Sequence, residues 1–189
     1  MSIRPPTLCD AADAVLMVID MQVRLTAAMP AKVLARLQRN TGLLIRSAAE
    51  LGIPVFASEQ YPEGLGQIEP EILKLLPDGA GRYEKTGFSC ALAPRFMEDL
   101  ERTGRKQAVL IGMEAHVCVL QTAFDLRDAG YAVSVVSDAV CSRHRENYET
   151  ALARLRHAGV DICDAESVVF EWLRDARHEQ FKALHKLVR

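Results

Sequence analysis

Long apolar runs are scarce in this sequence of 189 residues, and none approaches the length of a membrane span. The longest early run, residues 14–19, stops at Asp20 without a cleavage site behind it, so no signal peptide is expected. An excess of basic residues is also missing, since 23 Lys and Arg face 25 Asp and Glu, for a formal net charge of −2. That balance gives no electrostatic reason to expect nucleic acid or an anionic membrane surface as a partner.

Paired cysteine motifs are absent as well. The five cysteines, Cys9, Cys90, Cys118, Cys141 and Cys163, lie far apart and form no CxxC, which indicates neither a disulfide framework nor a zinc knuckle. Such a chain suits a reducing compartment, and we therefore expect a cytoplasmic location. No GxGxxG follows the first apolar run, where the sequence reads DMQVRL, so a nucleotide-binding module is disfavoured.

What the sequence does contain is a regular alternation of short apolar runs and amphipathic stretches. Strands are predicted at residues 14–19, 53–57, 82–85, 108–111, 131–136 and 160–163. Helices are predicted at residues 32–51, 94–102, 112–130, 145–158 and over most of 166–187, with a Gly- and Pro-rich loop at 60–69. Strands separated by helices form βαβ units, so we predict one α/β domain over residues 1–189, with a parallel sheet and helices on both faces.

Reactive side chains follow three of these strands. Asp20 comes after the first strand and Lys85 ends the third, while Glu114, His116 and Cys118 follow the fourth. Each has an ordinary explanation, because an aspartate often caps a helix, a lone lysine is usually solvated and a cysteine in an apolar helix usually packs. Ligands of parallel sheets bind beyond the carboxyl ends of the strands, however. An acid, an amine and a thiol that converge there are what a nucleophilic site requires.

Five sequence blocks carry a resemblance to a known family. They read VLMVIDMQ, SEQYPEGLG, EKTGFSC, GMEAHVCVLQTAFDL and VVSDAVCSRHRENYETALARLRHAG, in this order along nearly the whole chain. The sequence thereby resembles the isochorismatase-like cysteine hydrolases, which include the nicotinamidases, and most of all their isochorismatase domain-containing branch. The resemblance implies a three-layer αβα sandwich with a mostly parallel, Rossmann-like central sheet, and a homo-oligomer of two or more subunits. It also implies a triad of Asp20, Lys85 and Cys118, with a non-proline cis peptide bond just before Glu114.

The residues themselves support a thiol mechanism. A free thiol is only slightly ionised at neutral pH, and we expect the amino end of a helix and the nearby Lys85 to favour the thiolate of Cys118. Asp20 can take the thiol proton and later protonate a leaving amine. Backbone N–H groups near Glu114 and Cys118 would form an oxyanion hole. The predicted reaction is attack by Cys118 on an amide-like carbonyl, loss of ammonia or an amine, and hydrolysis of the thioester.

Departures from the family pattern narrow the range of expected substrates. Nicotinamidases carry a metal-binding Asp-x-His shortly after the second strand, whereas residues 58–62 read SEQYP and contain no histidine. We therefore expect no metal and no other cofactor, and nicotinamide is a less favoured substrate. A true isochorismate-cleaving enzyme does not need the cysteine, so its presence at position 118 favours the amidase branch. Nicotinamidase activity, isochorismatase-type activity and a non-catalytic scaffold of the same fold stay open as alternatives.

The remaining predicted site residues are those expected to line a pocket for a small-molecule substrate. These candidate substrate-binding residues are Gln22, Gln60, Tyr61, Phe88 and His116. The loop at residues 60–66 is expected to rim the pocket, although a plain surface turn is an equal alternative. The four cysteines other than Cys118 are interpreted as structural, because none has an acid and a base nearby in this pattern.

Overall fold

The computed structural model describes residues 8–188, which build one six-stranded sheet with helices on both faces. The strands are β1 (Ala14–Ile19), β2 (Val55–Gln60), β3 (Gly81–Lys85), β4 (Gln107–Met113), β5 (Ala132–Cys141) and β6 (Asp161–Cys163). The helices are α1 (Val23–Thr26), α2 (Ala31–Glu50), α3 (Pro62–Leu65), α4 (Pro70–Leu73), α5 (Phe96–Arg102), α6 (Leu120–Asp128), α7 (Arg145–His157), α8 (Ala165–Leu173) and α9 (Phe181–Val188). A 3₁₀ turn at Cys90–Leu92 and a π-helical turn at Ala115–Val119 precede α5 and α6.

All neighbouring strands pair in parallel, in the order β3-β2-β1-β4-β5-β6. The chain moves outward from β1 to β3 and then returns to β4 on the other side of β1, so the winding reverses between β1 and β4. Such a reversal opens a crevice at the carboxyl ends of the two strands, where ligands of this class of sheet bind. The predicted α/β fold class, a parallel sheet between two layers of helices, is confirmed.

Two apolar clusters, one on each face of the sheet, form the core. Side chains alternate along a strand, so Leu16 and Val18 of β1 enter one cluster while Met17 and Ile19 enter the other. The first face is covered by α2, α8 and α9, and the second by α5, α6 and α7. A strand that is buried on both faces needs a continuous run of apolar residues. The sequence of β1, AVLMVI, is such a run.

β2 and β5 extend by three or more residues beyond their predicted ends, because polar residues interrupt the apolar pattern of each strand. The apolar pattern stops at residue 57, but β2 continues to Gln60. The three polar residues 58–60 pair with β3 and are buried. The prediction of a loop over 60–69 is therefore wrong at its first residue, and α3 lies within the rest. Similarly, β5 is predicted to end at residue 136 but continues to Cys141, past an irregularity in its pairing with β4.

Three helix boundaries also differ from the sequence prediction. The helix predicted over 94–102 begins only at Phe96, because Arg95 has a φ of 64° in the left-handed region. The helix predicted over 112–130 loses its first residues to β4 and its first turn to the π-helical segment. The predicted helical stretch 166–187 forms two helices, α8 and α9, with Arg174 at a φ of 61° after the first.

Gly112 lies where β1 and β4 approach each other near the candidate site. Its φ is 113°, which side chains of L-residues rarely allow. A Cβ atom built on Gly112 would lie 2.0 Å from the carbonyl oxygen of Ile19. Glycine is therefore required here by both the backbone conformation and the close approach of the neighbouring strand.

We expect Gly112→Ala to lower the free energy of unfolding by about 3 kcal/mol or more, because the new methyl group collides with paired backbone. The matched control is Gly104→Ala. Gly104 also has a positive φ of 68°, but nothing lies within 4 Å of the added Cβ. This control should cost only about 1–2 kcal/mol. Denaturant unfolding of both variants measures the two losses, and equal losses would contradict the argument from close approach.

Candidate active site

The carboxyl ends of three strands bring Asp20, Lys85 and Cys118 into one buried group. Asp20 follows β1 directly with a φ of 48°, a left-handed conformation that aspartate tolerates better than most residues. Lys85 is the last residue of β3, and Cys118 lies in the π-helical turn after β4. The three residues are each no more than 5% exposed. The structure thus brings together the three side chains that the sequence predicted as a triad.

The ammonium group of Lys85 is fully engaged by the protein. Its Nζ lies 2.8 Å from Asp20 Oδ2, 2.7 Å from Gln60 Oε1 and 2.9 Å from the carbonyl oxygen of Phe88. A lysine ammonium has three N–H bonds, so none is left for a bound anion. Burial lowers the pKa of Lys85, but the charge of Asp20, with smaller contributions from two nearby thiols, outweighs it and raises the pKa. Lys85 is therefore a permanent positive charge that holds Asp20 in place.

Asp20 connects this lysine to the candidate nucleophile. Its Oδ1 accepts a hydrogen bond from Ser58 Oγ at 2.7 Å, and its Oδ2 accepts from Lys85. Burial raises the pKa of the Cys118 thiol most, and the negative charge of Asp20 raises it further. Lys85 lowers this pKa, but not enough to compensate. The expectation that the environment favours the thiolate is thus wrong for the resting site, in which Cys118 is a neutral thiol beside a carboxylate.

The turn between β4 and Cys118 is built around Glu114. The peptide bond between Met113 and Glu114 is cis. The Glu114 side chain forms an ion pair with Arg143, with 3.1 Å between Oε2 and Nε, and also accepts from the Arg143 backbone N–H at 3.0 Å. The backbone N–H of Val119 reaches back 3.3 Å to the Glu114 carbonyl oxygen, as a π-helical turn requires. These contacts hold the turn that leads from β4 to Cys118 in place.

Two predicted substrate-binding residues, Gln22 and Gln60, are buried and tie the site together. Gln22 Nε2 donates to the carbonyl oxygen of Gln60 at 3.0 Å and to that of Gly66 at 2.5 Å, and its Oε1 accepts from the Gln60 backbone at 2.8 Å. Gln60 Nε2 donates to the carbonyl oxygen of Thr86 at 2.7 Å. These contacts join the end of β2 to the following loop and orient the amide that accepts from Lys85. A direct contact with substrate stays a prediction for both residues.

The other three predicted substrate-binding residues lie further out. Tyr61 and Phe88 are both 51% exposed, and the Phe88 carbonyl oxygen accepts from Lys85 while its ring faces outward. His116 is half-buried, and its Nδ1 lies 2.9 Å from Ser142 Oγ. Exposed aromatic rings beside a buried reactive group suit the rim of a pocket. Their contact with substrate stays a prediction.

Sequence reasoning missed two members of this network, Ser58 and Cys90. Cys90 Sγ lies 3.4 Å from Ser58 Oγ, which in turn donates to Asp20. Burial raises the pKa of Cys90 to about 11, and the charge of Asp20 adds to that effect. The interpretation that no other cysteine has an acid and a base nearby is therefore wrong for Cys90. Both residues stand inside the sequence blocks SEQYPEGLG and EKTGFSC, but a serine in a strand and a cysteine in a loop carry no chemical signal of their own.

The remaining cysteines belong to the other side of the sheet. Cys9, Cys141 and Cys163 pack in the apolar cluster under α2 and α8, whereas Cys90 and Cys118 pack in the opposite cluster. Over the range 8–188, no group of three or more His, Cys, Asp or Glu side chains is arranged to hold a metal ion.

Comparison with known proteins decides the family. A family model described as the isochorismatase domain matches residues 14–167, most of the chain. The chain belongs to the isochorismatase family of hydrolases. Isochorismatase domain-containing protein 2 of Bos taurus is 40% identical over 147 residues, which are 77% of this chain and 70% of that protein. The resemblance predicted from the five sequence blocks is confirmed.

Solved structures share this fold closely. The structure of Mar1 ribonuclease from Caenorhabditis elegans has a TM-score of 0.89 and 32% identity, and covers 95% of this chain and 91% of that chain. The structure of YcaC from Pseudomonas aeruginosa, with hexane-2,5-diol and covalent acrylamide, has a TM-score of 0.87 and 25% identity, and covers 94% of this chain and 90% of that chain. The fold of this chain is therefore shared with both of these proteins.

Location and assembly stay predictions for this isochorismatase-family chain. Another relative, the secreted isochorismatase effector Isc1 of Phytophthora sojae (strain P6497), is 40% identical over 153 residues, which are 79% of this chain and 72% of that protein. Because this relative is secreted, the cytoplasmic location does not follow from family membership and stays a prediction. Within residues 8–188, no helix has both the length and the apolar character needed to cross a membrane. The predicted extent of the domain, 1–189, includes ends that lie outside the described residues.

Proposed function

We propose that this chain is a cysteine hydrolase that cleaves the C–N bond of a small, amide-like substrate through a thioester on Cys118. The observation that carries the proposal is the position of Asp20. This buried carboxylate binds the Lys85 ammonium and the Ser58 hydroxyl, and its charge and hydrogen bond act on the thiol of Cys118. A base, a fixed positive charge and a nucleophile are the parts that covalent acyl transfer requires.

In the first half of the proposed reaction, Asp20 takes the proton from Cys118 Sγ as the sulfur attacks the carbonyl carbon. The carbonyl electron pair moves to oxygen, where backbone N–H groups of Glu114 and Cys118 stabilise the charge. The C–N bond then breaks, and Asp20 passes its proton to the leaving nitrogen. The acyl group remains on sulfur as a thioester.

In the second half, a water molecule attacks the thioester while Asp20 takes one of its protons. The C–S bond breaks, the sulfur regains the proton from Asp20, and a carboxylic acid leaves. The neutral resting thiol suits this scheme, because the carboxylate beside it removes the proton only as attack proceeds. Lys85 keeps its proton throughout and holds Asp20 in position.

The charge of Lys85 also restricts the reacting group of the substrate. Because all three of its N–H bonds end on protein oxygens, Lys85 offers no free cation to a phosphate or carboxylate at the reacting atoms. A neutral amide, ureide or carbamoyl group is therefore the best match. The phosphodiester substrate that the description of the worm ribonuclease suggests is a poorer match for the same reason.

The test is an ammonia-release screen over small amides, ureides and carbamoyl compounds, run with wild-type protein and Cys118→Ala. Nicotinamide enters the panel as an alternative substrate. Isochorismate and single-stranded RNA are tested in parallel by analysis of their cleavage products, because neither reaction releases ammonia. The proposal predicts turnover of an uncharged C–N substrate by the wild type only. Cleavage of isochorismate or RNA by both proteins would show a different reaction. No turnover of any compound by the folded wild type, together with no acyl adduct on Cys118, would indicate a non-catalytic scaffold.

Activity should survive exhaustive chelation, because residues 58–62 lack the Asp-x-His that binds metal in nicotinamidases. The measurement is kcat/KM on the best substrate from the screen, before and after dialysis against EDTA. We expect the two values to agree within about twofold. Loss of turnover that zinc or iron restores would overturn this prediction.

A further inference from the structure

A second cavity lies apart from the proposed triad, at the carboxyl end of β5. Its volume is about 330 Å³, and it opens between the first turns of α2 and α7. Asp20, Lys85 and Cys118 are not among the residues that line it. A cavity of this size accommodates a small organic molecule.

One positive charge of the cavity is not paired with an acid among residues 8–188. Three of its lining residues are arginines, but Arg143 is paired with Glu114 and Arg145 with Glu149. Arg36 has no ion pair, and its Nε is buried without a hydrogen-bond partner within residues 8–188. Arg36 therefore lines the cavity as a guanidinium whose N–H donors are unused within the described residues, and such a group can bind an anion there.

The charge of Arg36 acts on the walls of this cavity. It lowers the pKa of Cys141 and of Tyr148, both of which line the cavity, although burial raises the pKa of each more strongly. The amino end of α7 also borders the cavity, but Glu146 in its first turn opposes the positive potential of that end. Arg36 is therefore the feature that favours an anion at this place.

The rest of the wall is suited to an apolar group. Pro30, Val33 and the ring of Tyr148 contribute apolar surface. The Tyr148 hydroxyl donates to the carbonyl oxygen of Ser137 at 2.8 Å, so its polar end is already satisfied by the protein. An occupant would place a hydrocarbon body against these side chains and its charged end on Arg36.

We propose that this cavity binds a small monocarboxylate with an apolar or aromatic body, with its carboxylate on Arg36. A single negative charge matches the single unpaired guanidinium. A dianion such as phosphate would place a second negative charge beside Glu149, which lines the cavity and already holds Arg145. The cavity does not include the proposed triad, although Ser142 and Arg143 in its wall contact His116 and Glu114, and the proposal does not depend on the proposed reaction.

The test uses benzoate as the probe and isothermal titration calorimetry of the full chain as the measurement. Wild type should bind benzoate. Benzyl alcohol lacks the carboxylate and inorganic phosphate lacks the apolar body, so each should bind at least about tenfold more weakly. Arg36→Met should weaken benzoate binding at least about tenfold, and Arg36→Lys should weaken it less, since it keeps the charge. Arg46→Met is the matched control, because Arg46 is exposed on the same helix and does not line the cavity.

Two further measurements make the outcome decisive. Thermal unfolding checks that Arg36→Met is folded. Because Cys141 lines the cavity, alkylation of Cys118 with iodoacetamide in a Cys141→Ser background, with the modified position confirmed by peptide mass spectrometry, checks which site benzoate occupies. The proposal predicts that benzoate binding survives this alkylation. Binding that alkylation abolishes, binding unchanged in folded Arg36→Met, or no binding of benzoate by the wild type would each overturn it.

Discussion

Cys118→Ala is expected to lower kcat/KM for an amide-like substrate at least about 10³-fold, because the change removes the nucleophile of the covalent step. The loss should appear in kcat as well as kcat/KM, since the nucleophile acts in the chemical step. The fold should persist, because the change removes one buried sulfur atom and opens only a small void. Initial rates of ammonia release measure the effect, with circular dichroism as the check on folding.

The matched control for this prediction is Cys90→Ser. Cys90 is buried in the same network and contacts Ser58, so it is the thiol most able to compete for the role of nucleophile. Serine can keep the contact with Ser58, and we expect kcat/KM to stay within about threefold of wild type. The assignment of the nucleophile would be wrong if Cys90→Ser were inactive while Cys118→Ala kept its rate.

Asp20→Asn is expected to reduce turnover at least about 10²-fold while making the Cys118 thiol easier to ionise. The negative charge of Asp20 raises the pKa of Cys118, and so does its acceptance of a hydrogen bond from the thiol. Removing that charge lowers this pKa, so iodoacetamide labelling should begin at a lower pH. Turnover nevertheless falls, because the group that moves the proton is lost. Lys85 lowers the pKa of Cys118, so Lys85→Met should shift labelling to a higher pH.

The pH dependence of labelling at Cys118 distinguishes this arrangement from chance proximity. Each pKa unit changes the thiolate fraction about tenfold at a given pH below the pKa. Asp128→Asn is the matched control, since Asp128 is an exposed carboxylate paired with Arg127 on α6. Curves for wild type, Asp20→Asn and Lys85→Met that coincide would show that the three residues do not act on one another.

The position of the candidate site was predictable because its residues stand at the ends of apolar runs. The run AVLMVI leads directly to Asp20, and the run through β4 leads toward Cys118. Parallel strands place their carboxyl ends at one edge of the sheet, so sequence order alone brought these side chains together. Lys85 was found at the end of a weaker strand, whose alternating burial reflects its place at the edge.

The network around these residues was harder to predict, because it depends on polar residues placed by strand pairing. Ser58 and Gln60 are buried only because β2 extends beside β3, and no apolar pattern marks that extension. The pKa of Cys118 depends on a balance between burial, Asp20 and Lys85 that the sequence does not reveal. The cavity at Arg36 could not be predicted from the sequence, because it lies between the first turns of two helices that are distant along the chain.

The most direct test of the central claim is mass spectrometry of the wild-type protein quenched during turnover of a slow amide substrate. The proposed mechanism predicts an added acyl mass on the peptide that contains Cys118, formed as ammonia or amine is released and lost as the thioester is hydrolysed. The adduct should be absent in Cys118→Ala and present in Cys90→Ser. An acyl group found on Cys90, or substrate turnover in which no protein adduct forms while Cys118→Ala keeps its activity, would contradict the account.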